Sequence, residues 1–135
     1  MAAPTRMRRW AAAAGVALLC AATAAAASAP LTVHTEGLSI GLTTTPSPPV
    51  RGEGTAFEIS VADAAGAPQA GARISLELIM PAHAMKANRP RVHERGAGRY
   101  VAAGAFGMGG EWIAAVEVVL PDGRRARAEF PLRVR

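Results

Sequence analysis

The 135 residues suffice for one domain, and a formal charge of +5 with an isoelectric point near 11.0 would at first sight suggest an anionic partner. Three of the fifteen Lys and Arg residues, Arg6, Arg8 and Arg9, precede an uncharged apolar run, so twelve basic residues face ten acidic ones in the remainder. A surplus of two does not argue for nucleic acid, and no nucleic-acid partner is expected. The single cysteine, Cys20, lies inside the apolar run, so the rest of the chain offers no disulfide, thiolate ligand or cysteine nucleophile.

Residues 1–27 read as a helical secretory signal peptide. A positive start is followed by an alanine-rich apolar stretch over 10–27, and small residues fill 24–29. Ala25-Ala26-Ala27 and Ala27-Ser28-Ala29 both fit a small-x-small cleavage site. Cleavage is expected between 27 and 29, with a cut before Ser28 preferred because Pro30 directly follows the second site. Leu19 before Cys20 is not the small residue that lipid attachment wants. The expected product is periplasmic or secreted, with no stable membrane insertion after signal removal. It has a short lead over 28–36 and a domain over 37–135.

The domain is all-β by its patterning. Residues 31–45 alternate loosely and give two short strands, or one broken at Gly37. Pro46-Ser47-Pro48-Pro49 ends them, because proline lacks the amide hydrogen a central strand needs. In 55–62, Phe57, Ile59 and Val61 share a face opposite Glu58 and Ser60. A turn-rich loop over 63–71 leads to 72–80, where Ile74, Leu76, Leu78 and Met80 are in register. A short strand is read at 91–95. Further strands follow at 99–106, 111–120 and 125–134, and Pro131 marks the last as an edge or bulged strand. No segment after the leader holds a helical period of ten residues. Six to seven strands, each with one apolar face, require two facing sheets, an immunoglobulin-like antiparallel β-sandwich.

Catalytic groupings are absent from the pattern, and the chain is expected not to be an enzyme. Asp63 and Asp122 sit among turn formers and read as turn residues rather than as a carboxylate pair. Gly107-Met108-Gly109-Gly110 lacks the lysine and helix of a phosphate loop. Arg124, Arg125 and Arg127 form a basic cluster without interleaved exposed aromatics.

One stretch proposes a chemistry, Met80-Pro81-Ala82-His83-Ala84-Met85. Thioethers suit Cu(I), and imidazole suits either copper oxidation state. A turn at Pro81 would bring Met80 round to His83 and Met85. Met108 and His93 would complete a shell. The competing reading has Met80 in the core, continuing the register of Leu76 and Leu78, and His34, His83 and His93 as ordinary surface histidines.

The chain resembles the YtkA-like family of exported β-sandwich domains. The resemblance rests on Asp63-x-x-Gly66 before the Met80-Pro81-x-His83-x-Met85 strand end. It continues through Pro90-x-Val92, Gly98-x-Tyr100 and Met108-x-Gly110-x-Trp112, over roughly 37–134. It implies an immunoglobulin-like fold, a copper role with Met80, His83 and Met85 as ligands, and copper-transport or oxidase-assembly proteins as partners. Ala84 replaces the glycine associated with this loop. Two functional readings follow: a periplasmic copper-binding accessory or delivery protein, and a non-catalytic structural or protein-interaction module without metal. A small-solute binder is disfavoured, because so small a sandwich leaves little interior room.

Overall fold

The structure, a computed structural model, describes residues 31–84 and 86–135. The leader read at 1–27 and Met85 lie outside the described residues. Eight strands and no helix make up the described chain: β1 (Leu31–Thr35), β2 (Leu38–Thr45), β3 (Gly54–Asp63), β4 (Arg73–Ile79), β5 (Val92–Gly96), β6 (Arg99–Ala105), β7 (Gly110–Val119) and β8 (Arg125–Val134). They form a five-stranded sheet, β1-β2-β3-β6-β5, and a three-stranded sheet, β4-β7-β8. All named pairings are antiparallel.

The strand count is eight rather than six to seven. Glu36 and Gly37 both take positive φ, at 50° and 72°, and fold 31–45 back on itself as the β1–β2 hairpin. β1 therefore lies within the stretch read as a lead, and that stretch contributes a strand to the larger sheet.

Alternation decides which face is buried. Phe57, Ile59 and Val61 of β3, Leu76 and Leu78 of β4, Trp112, Ala114, Val116 and Val118 of β7, and Phe130, Leu132 and Val134 of β8 all enter one core. Full burial of each larger side chain is worth roughly 1.5–3 kcal/mol. β8 shows the rule throughout, with every second residue from Ala126 to Val134 buried and the others exposed. Pro131 falls in the exposed set, on the sheet's outermost strand.

The two ends of the sandwich differ. One end carries the β1–β2, β5–β6 and β7–β8 turns and the longer 64–72 loop. Here Tyr100 is buried, donates its hydroxyl to the Gln69 carbonyl at 2.8 Å and accepts from the Ala72 N–H at 3.0 Å. Burial raises its phenol above the ordinary value; the Ala72 hydrogen bond works against that rise, and the nearby Glu94 carboxylate adds to it. Asp63 and Asp122 both serve turns. Asp63 Oδ1 accepts from the N–H groups of Ala65 and Ala67, and Asp122 Oδ1 from that of Arg124. Hydrogen bonds from the Arg124 backbone and side chain hold the Asp122 carboxyl below its ordinary value.

The opposite end gathers the 46–53, 80–91 and 106–109 connections with the start of β1 and the end of β8. Backbone bonds lace it together. Arg51 N–H donates to the Arg135 carbonyl at 2.7 Å, Gly52 N–H to that of Phe106 at 2.9 Å, and Arg135 N–H to that of Pro49 at 2.9 Å. The two Arg135 bonds tie the larger sheet's β2–β3 connection to the end of the smaller sheet, and the Gly52 bond ties it to the β6–β7 connection.

Candidate functional site

The Met80–Met85 stretch emerges at this laced end. Met80 completes the inward register of β4 and is buried in the core, only 7% exposed. Its methyl lies 3.2 Å from where a β-carbon on Gly110 would sit, and Gly110 itself has φ of 121°. Glycine at 110 therefore serves both the backbone and the seating of Met80.

Pro81 sets the next step. His83 N–H donates to the Met80 carbonyl at 3.2 Å, closing a four-residue turn with proline at its second position, where its fixed φ fits. The turn leaves His83 exposed at the rim while Met80 stays below. Further along, Asn88 anchors the loop's return. Its carbonyl accepts from Leu78 N–H at 2.8 Å, and its side-chain amide donates to the Ala105 carbonyl at 3.1 Å. The intervening loop is thus pinned to β4 on one side and to β6 on the other.

Met108 stands on the adjacent β6–β7 connection, 40% exposed, one of two large apolar side chains described as exposed. Its carbonyl accepts a 3.0 Å hydrogen bond from Trp112 Nε1. Trp112 is buried and packs edge-on against Phe106, centroids 5.1 Å apart, and Phe106 packs in turn against Phe57 at 6.0 Å. An aromatic floor therefore holds the connection that presents Met108.

Met80, His83 and Met108 share one end of the sandwich; His93 does not join them. Its β5 position pairs with Val101, on the outer face of the larger sheet. There it lines a shallow depression of about 430 Å³ with Thr43, Ala56, Glu58 and Arg95. His34 is exposed on β1 and hydrogen-bonded to Ser39 Oγ at 2.8 Å. Among the described residues, no three His, Cys, Asp or Glu side chains come together as a metal-binding group. An ion at this end would depend on thioether sulfur beside one imidazole, a donor set suited to Cu(I) rather than to a hard cation.

Thr55 escaped the sequence reading. It faces inward at the start of β3, opposite Gly104, is 1% exposed, and its Oγ1 has no hydrogen-bond partner. The legible signal was a hydroxyl in an otherwise apolar inward series, Thr55, Phe57, Ile59, Val61. An unpaired buried hydroxyl is a net cost. Thr55→Val, which keeps the β-branched shape, is expected to stabilise the protein by up to about 1 kcal/mol in urea denaturation. A clear loss of stability would show that the hydroxyl is partnered.

Comparison with solved structures shows the fold. A DUF4426 family protein of Pseudomonas aeruginosa superimposes with a TM-score of 0.61 at 10% identity, covering 77% of this chain and 93% of that one. A DUF4785 family protein of Legionella pneumophila gives 0.58 at 10% identity over 73% of this chain, which spans 29% of the Legionella chain. The Lin-41 filamin domain gives 0.50 at 13% identity, covering 78% and 98% of the two chains. No curated protein matches. A family model described as YtkA-like matches residues 32–117, from β1 into β7, with β8 beyond the matched stretch. The match takes in the Met80–Met85 stretch and Met108, and on this evidence the chain belongs to the YtkA-like family.

Proposed function

We propose that the protein is a non-catalytic copper-binding accessory of the cell envelope, holding Cu(I) at the rim of the sandwich and releasing it to a partner. The observation that carries this reading is the Met80-Pro81-Ala82-His83 turn. It sets an exposed imidazole at the end of the sandwich where Met108 is also exposed. Met85, two residues beyond His83, supplies a further thioether in sequence. His83 and Met108, both exposed at this end, are ligands, and Met85 joins them by its sequence spacing from His83. Met80, buried in the core beneath them, is the innermost of the proposed ligands. His93, on the sheet's outer face, takes no part. A rim site of this kind suits delivery, since a partner's ligands can approach from solvent. Copper-transport or oxidase-assembly proteins are the partners proposed, and the leader sequence supports export to a periplasmic or secreted location.

The test is a Cu(I) titration of the purified protein against a competing chelator, with Cu(II) in parallel. His83→Ala and Met85→Leu are each expected to weaken Cu(I) binding at least tenfold, about 1.4 kcal/mol, with Met108→Leu giving a smaller loss. Unchanged affinity in all three variants would overturn the site. Absence of binding at micromolar free copper would overturn the copper reading and leave an interaction module.

A further inference from the structure

Among the described residues the five-plus-three arrangement leaves four strand edges: β1 and β5 bound the larger sheet, β4 and β8 the smaller. An open edge is a template for another strand, and proteins usually blunt it with charge, proline, bulges or a covering loop. Three of these edges are blunted. On β4, Leu78 N–H is taken by the Asn88 carbonyl. β5 shifts register between Glu94 and Gly96 and carries Arg95, with Arg91 just ahead of it. β8 contains Pro131 and exposes Arg125, Arg127 and Arg133. β1 has none of these devices. Leu-Thr-Val-His-Thr holds no Asp, Glu, Lys, Arg or Pro, and its register runs unbroken from Leu31↔Leu42 to Thr35↔Leu38. No loop or turn backbone bond reaches it among the described residues.

We infer that β1 is a self-association edge. Two copies of this chain pair antiparallel along it, centred on Val33, and join their five-stranded sheets into one ten-stranded sheet. The occupant follows from self-complementarity. A two-fold axis at Val33 sets Leu31 opposite Thr35, Thr32 opposite His34, and Val33 opposite its copy. The inward-facing Leu31, Val33 and Thr35 stay on the inner side, and the outward pair is neutral in its acid and amine content, so no like charges oppose. The same operation on β5 about His93 would set Arg91 against Arg95, and on β8 about Phe130 would set Arg127 against Arg133. Leu31, 44% exposed at the strand start, gains cover in the pair. A five-residue seam falls well short of the roughly 1,200–2,000 Å² of a standard interface, so the association is weak and reversible. Because the strands run antiparallel, the two loop-bearing ends point away from one another and both stay open. The inference stands apart from the copper reading.

Sedimentation equilibrium of the purified protein, from about 1 μM to about 1 mM so that weak dissociation constants are spanned, is expected to show a reversible monomer–dimer equilibrium. Thr32 and His34 are exposed, so the double variant Thr32→Lys/His34→Lys leaves the fold intact while opposing lysine to lysine across the seam. It is expected to weaken the dimer more than tenfold, and Thr32→Glu/His34→Glu likewise. Mixing the two variants should restore association, because each lysine then meets a glutamate. A wild-type chain that stays monomeric throughout would overturn the inference. So would a dimer indifferent to both variants, or a mixture that fails to associate.

Discussion

Gly98→Ala is expected to destabilise the protein by about 3 kcal/mol or more, the sum of backbone strain and forced displacement. Gly98 holds φ of 71°, and a β-carbon there would lie 2.6 Å from the Val61 carbonyl oxygen and 2.9 Å from the Gln69 nitrogen. Those contacts are backbone, so no rotamer change relieves them. The same atoms form a junction: Val61 N–H donates to the Gly98 carbonyl and Gln69 N–H to the Val61 carbonyl, each at 2.9 Å. Pushing Gly98 outward strains both bonds and the Tyr100 hydroxyl bridge two residues on. Gly66→Ala is the control, since φ there is 85° but nothing lies within 4 Å of an added methyl. It should cost about 1 kcal/mol, the backbone term alone. Equal urea midpoints for the two variants would refute the steric part of the account.

Phe106→Ala is expected to cost about 3–5 kcal/mol, the range for deleting a buried aromatic ring and leaving its cavity. Phe106 is fully buried between Phe57 and Trp112 at the end that carries the 80–91 and 106–109 connections. Its loss removes two edge-on aromatic contacts and the support beneath the connection that carries Met108. Phe106→Leu keeps most of the volume and should cost less than about 1.5 kcal/mol. Denaturation curves measure the difference, and near-ultraviolet circular dichroism follows the Trp112 environment. A Phe106→Ala cost no larger than that of Phe106→Leu would show that the end is loosely packed and adapts to the void.

The strands were legible where burial is one-sided. β3 and β8 carry strict alternation, and their inward residues in sequence are the inward residues in space. The 31–45 stretch was less legible, because Leu38-Ser-Ile-Gly-Leu has little polar contrast and the chain reversal rests on a positive φ at Glu36, a residue type that does not announce one. Sheet order was not legible at all. The β3–β6 and β4–β7 pairings join residues 34 to 51 positions apart and depend on packing over the whole core rather than on local preference. At the candidate site, the Pro81 turn and the register of Met80 could both be read from spacing. Thr55 shares the inward register of Phe57, Ile59 and Val61, but that its hydroxyl lacks a partner depends on what packs above it, and the exposed reading of His93 rather than the liganding one holds because of where β5 joins the sheet.

The hydrogen bond from Trp112 to the Met108 carbonyl has an optical consequence. Trp112 is the sole indole in the described chain, fully packed on one side and tethered on the other to the connection that presents an exposed thioether. Its emission therefore carries a built-in signal from the rim of the sandwich, because movement of that connection changes the polarity around the fluorophore. The described chain thus contains its own label at this end of the sandwich, with no dye or added tryptophan required.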